Sequence, residues 1–283
     1  MPSPLVPLPP RQVGIADAAQ FTGTAPETIR EYQRIGLLAE PARGSDGGGR
    51  YGYEDMIRLL WIRKMVDAGM AVDDIREVFA DPAPAGDDDG GDAAVVVKRM
   101  RTVEGRMDLL SDVVTGRLKE LPAGWLRQAE LDSLLVMERI FGPLGAAVNT
   151  GRYTVMAAHP GLREESDRVE AAEEALDDTV AVEDPRVAQA AADRHAFEGK
   201  LDAASTKSGQ AQSDDKLFDS WDALNPAGTA SGEDAGAGEA CVSLIDAVKM
   251  MPYDYSPARL RCLELTAELA ANEPNASPAA AAK

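Results

Sequence analysis

Cysteine and histidine are scarce in this chain of 283 residues, which contains two of each. Cys241 and Cys262 are too few for the disulfide framework of a small secreted domain, so a reduced, cytoplasmic chain is the simplest expectation. Together with His159 and His195 they make four scattered soft ligands without the spacing of a metal site. We therefore expect no metal and no cofactor.

Long apolar runs and catalytic motifs are also missing. No run approaches the ~18 residues of a membrane-spanning helix, so no membrane partner is expected. The opening MPSPLVPLPP has no basic stretch and is rich in proline, which predicts a disordered tail over residues 1–12 rather than a signal peptide. Without a nucleophile elbow or a phosphate-cradling glycine loop, nothing predicts an enzyme.

Acidic residues are abundant but unevenly distributed. The net charge is −19 overall, yet residues 1–64 carry 8 basic against 7 acidic side chains, whereas residues 122–283 carry 14 against 28. Residues 1–64 are therefore nearly neutral and create no broad positive potential. Any contact with nucleic acid would depend on locally clustered arginines. The low aromatic content of 5% and the many alanines favour helices over sheets.

The pattern along the chain predicts a mainly α-helical protein in several parts. An N-terminal domain over 13–80 is followed by a Pro-, Gly- and Asp-rich linker over 81–92. A long helix is predicted over 93–121, then a helical domain over 122–271 and a loose tail over 272–283.

Apolar residues in the segment 93–121 recur at alternating spacings of four and three. This alternation is typical of the seam of a two-helix coiled coil, and the alternative is an amphipathic helix lying on its own domain. The predicted dimerisation residues are Val96, Met100, Val103, Met107, Leu110, Val114 and Leu121.

The C-terminal domain contains further helix signals. A helix over 125–141 should stop at Gly142-Pro143, and Asp184-Pro185 and Ser256-Pro257 should each begin one. The predicted helices are 161–178, 185–204, 239–250 and 256–271, with loops at 205–215 and 225–239. Dispersed aromatic residues in an acidic helical domain allow a pocket for an apolar or cationic small-molecule effector.

The N-terminal domain has the pattern of a winged helix-turn-helix. Gly23 suits a left-handed turn between two helices, and Pro26 suits the first turn of the second. A Gly- and Arg-rich segment, RGSDGGGRYGY, then predicts a small two-stranded wing. The candidate DNA-binding residues, of which those on the second helix should be exposed, are Thr28, Arg30, Tyr32, Arg34, Arg43, Arg50 and Tyr51. Arg43 and Arg50 could instead be solvated charges of the wing.

The segment ETIREYQRIGLL, the wing, and the following LLWIRKMVDAGMAVDDIREVF together resemble the MerR family of transcription regulators. The resemblance covers 13–79 closely and 93–121 by architecture. It implies a recognition helix in the major groove, a wing along the DNA backbone, and an antiparallel coiled-coil homodimer. It also implies that the protein distorts promoter DNA so that RNA polymerase can use the promoter.

Glu31 departs from the family pattern by replacing the first of two tyrosines. It either pairs with a neighbouring arginine or weakens nonspecific DNA binding. The leading hypothesis is therefore a MerR-like, sequence-specific DNA-binding regulator. The alternative is a ligand- or protein-binding module whose DNA-binding domain is degenerate.

Overall fold

The computed structural model describes residues 10–45, 47–80, 92–210, 212–217 and 250–272. Several predictions fall outside these residues: most of the N-terminal tail, the linker 81–91, the loop 225–239, nearly all of the helix 239–250, the tail 273–283 and Cys241.

The described chain is mainly α-helical with one two-stranded antiparallel wing, which confirms the predicted fold class. The elements are α1 Ile15–Thr22, α2 Pro26–Arg34, β1 Ala42–Arg43, β2 Gly49–Arg50, α3 Tyr53–Asp67, α4 Val72–Phe79, α5 Asp92–Met100, α6 Val103–Met107, α7 Asp112–Leu118, α8 Gln128–Ala158, α9 Pro160–Glu174, α10 Pro185–Ser208 and α11 Pro257–Ala271.

Two compact units divide the described residues. The head unit contains the residues up to Thr150 and those between Lys216 and Asp254. The C-terminal unit contains the residues from Gly151 to Asp215 and those from Tyr255 onward.

The core of the head unit forms around the first four helices. These helices have between 8 and 15 residues, so the stability of each depends on burying one apolar face against the others. Side chains that are fully enclosed there include Phe21, Ile29, Leu37, Leu59, Trp61, Ile62 and Ile75. Gly69, with φ of 83°, provides the left-handed turn between α3 and α4.

The prediction of one continuous helix over 93–121 is wrong, because this segment forms three short helices. The first break is at Thr102, whose hydroxyl accepts a hydrogen bond from the amide of Gly105 at 3.0 Å and so caps α6. Gly105 has no Cβ, and one placed there would lie 2.0 Å from the carbonyl oxygen of Arg99. The second break is at Ser111, whose amide and hydroxyl both donate to Glu138.

The predicted dimerisation residues consequently do not form a stripe on one helix. Met100, Leu110 and Val114 are buried within the head unit, while Val96 is 41% exposed. Val103, Met107 and Leu121 are half-buried. Since an amphipathic segment packed on its own domain gives the same spacing, the alternative fits this segment better. Dimerisation itself stays a prediction.

The long helix of the described residues is α8, whereas the segment 93–121 was expected to form it. Gly142 interrupts its helical geometry with φ of 72° and ψ of 178°, and Pro143 follows. The predicted stop at Gly142-Pro143 is therefore a kink after which the helix resumes. α8 lies in the head unit up to Thr150 and in the C-terminal unit from Gly151.

The C-terminal unit is built from α9, α10 and α11. Its core includes Leu176, Val187, Ala191, Ala258 and Cys262. The predicted helix starts are confirmed, since Asp184 accepts from the amide of Arg186 and Ser256 accepts from that of Arg259. The predicted loop 205–215 is partly wrong, because α10 continues to Ser208 and residues 212–217 are helical.

Two left-handed glycines provide a stability test. Gly23 and Gly36 have φ of 66° and 75°, but a Cβ at Gly23 would lie 2.0 Å from a guanidinium nitrogen of Arg63, whereas one at Gly36 meets nothing within 4 Å. We expect Gly36→Ala to lower the free energy of unfolding by about 1–2 kcal/mol, from backbone strain alone. Gly23→Ala should cost more in urea unfolding, because the guanidinium of Arg63 must move and lose its hydrogen bond to Thr22. Equal costs of the two variants would contradict this contact.

Candidate nucleic-acid interface

The second helix of the helix-turn-helix, α2, presents two arginines to solvent. The side chains of Arg30 and Arg34 are 58% and 71% exposed. Ile29 is fully buried, so the predicted inward face is confirmed at that position. Thr28, in the first turn of α2, is half-buried.

Tyr32 departs from the predicted exposed face, because only 8% of it is accessible. It follows Ile29 by three residues, a spacing that places both side chains on one side of a helix. Burial raises the pKa of its phenol, and the charge of Asp67 adds to this effect. The predicted exposure of Tyr32 is therefore wrong, and its ring packs into the domain.

Each exposed arginine of α2 has a carboxylate partner one turn earlier in the helix. Arg34 binds Glu31 through two hydrogen bonds, one of them from Nε at 2.7 Å. These hydrogen bonds lower the pKa of Glu31 and raise that of Arg34. Arg30 lies 3.4 Å from Glu27 in a looser pair. Two roles were considered for Glu31, and the structure shows one of them, which is pairing with a neighbouring arginine.

The wing follows α2 and carries the other two candidate arginines. Ala42 pairs with Arg50 and Arg43 with Gly49 in antiparallel register. Arg43 is exposed, whereas Arg50 is half-buried. Gly49 lies so close to Pro41 that a Cβ would be 2.7 Å from its ring, which explains a glycine at that position.

Tyr51 is 1% exposed and connects the wing to the helices instead of facing solvent. Its backbone forms a two-hydrogen-bond bridge with Val13, at 2.9 and 3.0 Å. Its hydroxyl accepts a hydrogen bond from Gln33 of α2 at 2.9 Å. Tyr51 thus fixes the position of the wing relative to α2, which does not fit a direct contact with DNA.

Sequence reasoning missed the residues that hold the turn between α1 and α2. Arg63 donates to the carbonyl oxygen of Thr22 at 2.8 Å, and Arg139 donates to that of Phe21. Arg139 is 118 positions away from Phe21 in the chain, and no local pattern indicates such a contact. Trp61 of α3 is buried as well, and its indole donates to Asp132 at 2.6 Å.

Other ligands have little support among the described residues. No group of three or more His, Cys, Asp or Glu side chains in that part of the chain could hold a metal ion. Cys262 is fully buried, and its burial raises the pKa of the thiol. None of the helices in the described segments has the length and apolar character needed to cross a bilayer.

A helix-turn-helix with a left-handed glycine in its turn, a following wing and two further helices defines a winged helix-turn-helix domain. Residues 14–81 match the family described as MerR HTH family regulatory protein. Residues 14–81 are therefore a helix-turn-helix domain of the MerR type.

Several curated relatives are similar to this chain. The HTH-type transcriptional regulator HmrR of Sinorhizobium medicae is 28% identical over 141 residues, which are 49% of this chain and 92% of that protein. A mercuric resistance operon regulatory protein of Bacillus cereus is 36% identical over 65 residues, 23% of this chain and 49% of that protein. The regulator YyaN of Bacillus subtilis is 34% identical over 67 residues, covering 24% and 49%.

Apart from HmrR, the chain spans about half the length of these relatives. About half of this chain has no counterpart in HmrR, since the match covers 49% of it. No solved structure matches the chain.

The ion pair between Glu31 and Arg34 leads to a test of affinity. Glu31→Gln removes a negative charge from the exposed face of α2 and leaves Arg34 without its carboxylate partner. We expect the variant to bind DNA about two- to fivefold more tightly at low salt, because this negative charge no longer opposes the DNA phosphates. The effect should be small, since exposed ion pairs contribute little and are screened by salt. Fluorescence anisotropy with the chain's own upstream DNA would measure it. Glu174→Gln, an exposed site on α9, is the matched control; equal effects of the two variants would contradict a role of Glu31 in binding.

Proposed function

We propose that this protein is a sequence-specific regulator of transcription that binds double-stranded promoter DNA through its head unit. The observation that carries the proposal is the exposure of two arginines on α2 and of Arg43 on the wing that follows it. They lie on a domain whose family is that of regulatory proteins. The name of HmrR as a transcriptional regulator supports the same assignment.

In this proposal α2 enters the major groove, where the guanidinium groups of Arg30 and Arg34 reach guanine edges or phosphates. Arg43 of the wing, with Arg50 beside it at the base, approaches the backbone next to that groove. Thr28, at the edge of α2, adds a hydroxyl near the same surface. The buried Tyr32 and Tyr51 act as supports for this surface rather than as contacts.

Further parts of the proposal follow from the family resemblance. The protein acts as a homodimer at a two-fold-related site, and DNA distortion controls the use of the promoter by RNA polymerase. A small-molecule effector bound by the C-terminal unit provides the input signal. The long match to HmrR supports a shared regulator architecture, and the unmatched half of this chain supports an input domain of its own.

Arginine substitutions test DNA binding directly. We expect Arg30→Ala to weaken binding to upstream DNA by about 1–3 kcal/mol and to relax sequence preference, because an arginine at a base edge specifies sequence. Arg43→Ala should weaken binding evenly across sequences. It should also reduce by about one the slope of log affinity against log salt concentration, because one phosphate contact is lost. Electrophoretic shift and anisotropy over a salt series would measure both effects.

Arg168→Ala provides the matched control, since Arg168 is an exposed arginine of α9 and its loss changes the net charge equally. It should leave affinity unchanged. If the unmodified protein shows no specific binding at low salt, the alternative of a ligand- or protein-binding module with a degenerate head becomes the better account.

The oligomeric state can be measured separately. A two-fold-related site requires two heads, so light scattering should give a molar mass twice the 30.0 kDa of one chain. Val96 is the predicted dimerisation residue that is most exposed, at 41%, and Val182 in the C-terminal unit is matched at 38%. We expect Val96→Asp, but not Val182→Asp, to shift the protein toward monomer. A monomeric unmodified protein would contradict the dimer.

A further inference from the structure

The carboxyl end of α1 must be satisfied from outside the helix, because the last four carbonyl groups of a helix have no partner within it. In α1 these belong to residues 19–22, directly before the turn that leads to α2. The first of them, Ala19, accepts hydrogen bonds from the amides of Gly23 and Thr24, the latter at 3.1 Å. These two amides belong to the turn itself.

The remaining three carbonyl groups are bound by two arginines. Arg139 donates through Nε to Phe21 and through Nη2 to Gln20, the latter at 3.3 Å. Arg63 of α3 donates to Thr22 at 2.8 Å. Two positive charges at the negative end of the helix dipole are electrostatically favourable as well. Only 8% of Arg139 is exposed, so this is an enclosed contact within the head unit.

Neighbouring contacts fix the part of α8 from which Arg139 projects. Glu138 forms an ion pair with Lys64 at 2.7 Å, with the carboxylate side chain 1% exposed. Two turns earlier, Asp132 accepts hydrogen bonds from Trp61 of α3 and from Gln128, both at 2.6 Å. Since Asp132 and Arg139 are seven residues apart, they lie on the same face of α8. Arg139 is therefore held where it can act on the turn.

We propose that Arg139 is a positioning residue for DNA recognition, which sets the angle between α1 and α2 by binding the carbonyl groups that precede the turn. The DNA-binding unit then extends to residue 139 and is larger than the helix-turn-helix domain at 14–81. Arg139 touches no base or phosphate and acts through Phe21 and Gln20. This proposal rests on the DNA binding proposed above.

Hydrogen exchange on the full-length protein tests the geometry without DNA. In Arg139→Ala, the amides of Gly23 and Thr24 should exchange about tenfold faster, since hydrogen bonds from a charged donor are the strong ones. Amides of α7, in the same head unit, should be unaffected. Arg139→Lys keeps the positive charge but donates from one nitrogen instead of two, so it should give an intermediate rate. Arg168→Ala should give none of this change.

DNA binding provides the second measurement. Arg139→Ala should weaken binding to upstream DNA about tenfold while leaving the slope of affinity against salt unchanged, because no phosphate contact is lost. Arg43→Ala should lower that slope. A reduced slope in Arg139→Ala would overturn the positioning role in favour of direct contact.

The exchange data would also show whether the role of Arg139 is purely structural. Unchanged exchange at the turn, or acceleration by the same factor in α7 as in the turn, would overturn the proposal. If Arg139→Ala does not fold, the comparison between Arg139→Lys and the unmodified protein decides in the same way. If the unmodified protein binds no DNA, the proposed function fails, whereas the exchange result still decides whether Arg139 positions the turn.

Discussion

The buried carboxylate of Glu138 is the constraint on which the arrangement of the head unit depends. A charge enclosed to 1% exposure is tolerated only when it is paired and hydrogen-bonded, and Glu138 has Lys64 from α3 and the amide and hydroxyl of Ser111 before α7. Three segments distant in the chain must therefore meet at one point. The same contact holds Ser111 at the start of α7, and the residue after Glu138, Arg139, reaches the end of α1.

Charge pairing on α2 has a different consequence for the proposed binding of DNA. Because Arg30 and Arg34 each have a glutamate one turn earlier, a phosphate must compete with a carboxylate already present. Residues 1–64, which include α2 and the wing, carry 8 basic and 7 acidic side chains, so little long-range attraction adds to the local contacts. Such a surface favours discrimination between sites over strong nonspecific binding, since the phosphate term supplies nonspecific affinity.

Turns and helix starts were predicted well from the sequence, and helix faces were predicted less well. Gly23, Gly69, Asp184 and Ser256 have the conformations or caps that their residue types favour, because these preferences arise within a few residues. Tyr32 was placed on the wrong face although its spacing from Ile29 was visible. The continuous helix over 93–121 failed because its apolar spacing is common to a coiled-coil seam and to a segment packed on its own domain.

The sequence by itself determined the mainly helical class, the winged helix-turn-helix with its glycine turn, and the identity of the arginines on α2 and the wing. Only the tertiary structure decided that Tyr51 is a buried support, that α8 is the long helix, and that Arg139 binds the end of α1. The physical reason is distance along the chain. Caps, turns and periodicity depend on neighbouring residues, whereas satisfying a buried carboxylate or a helix's terminal carbonyl groups requires partners that only folding brings together.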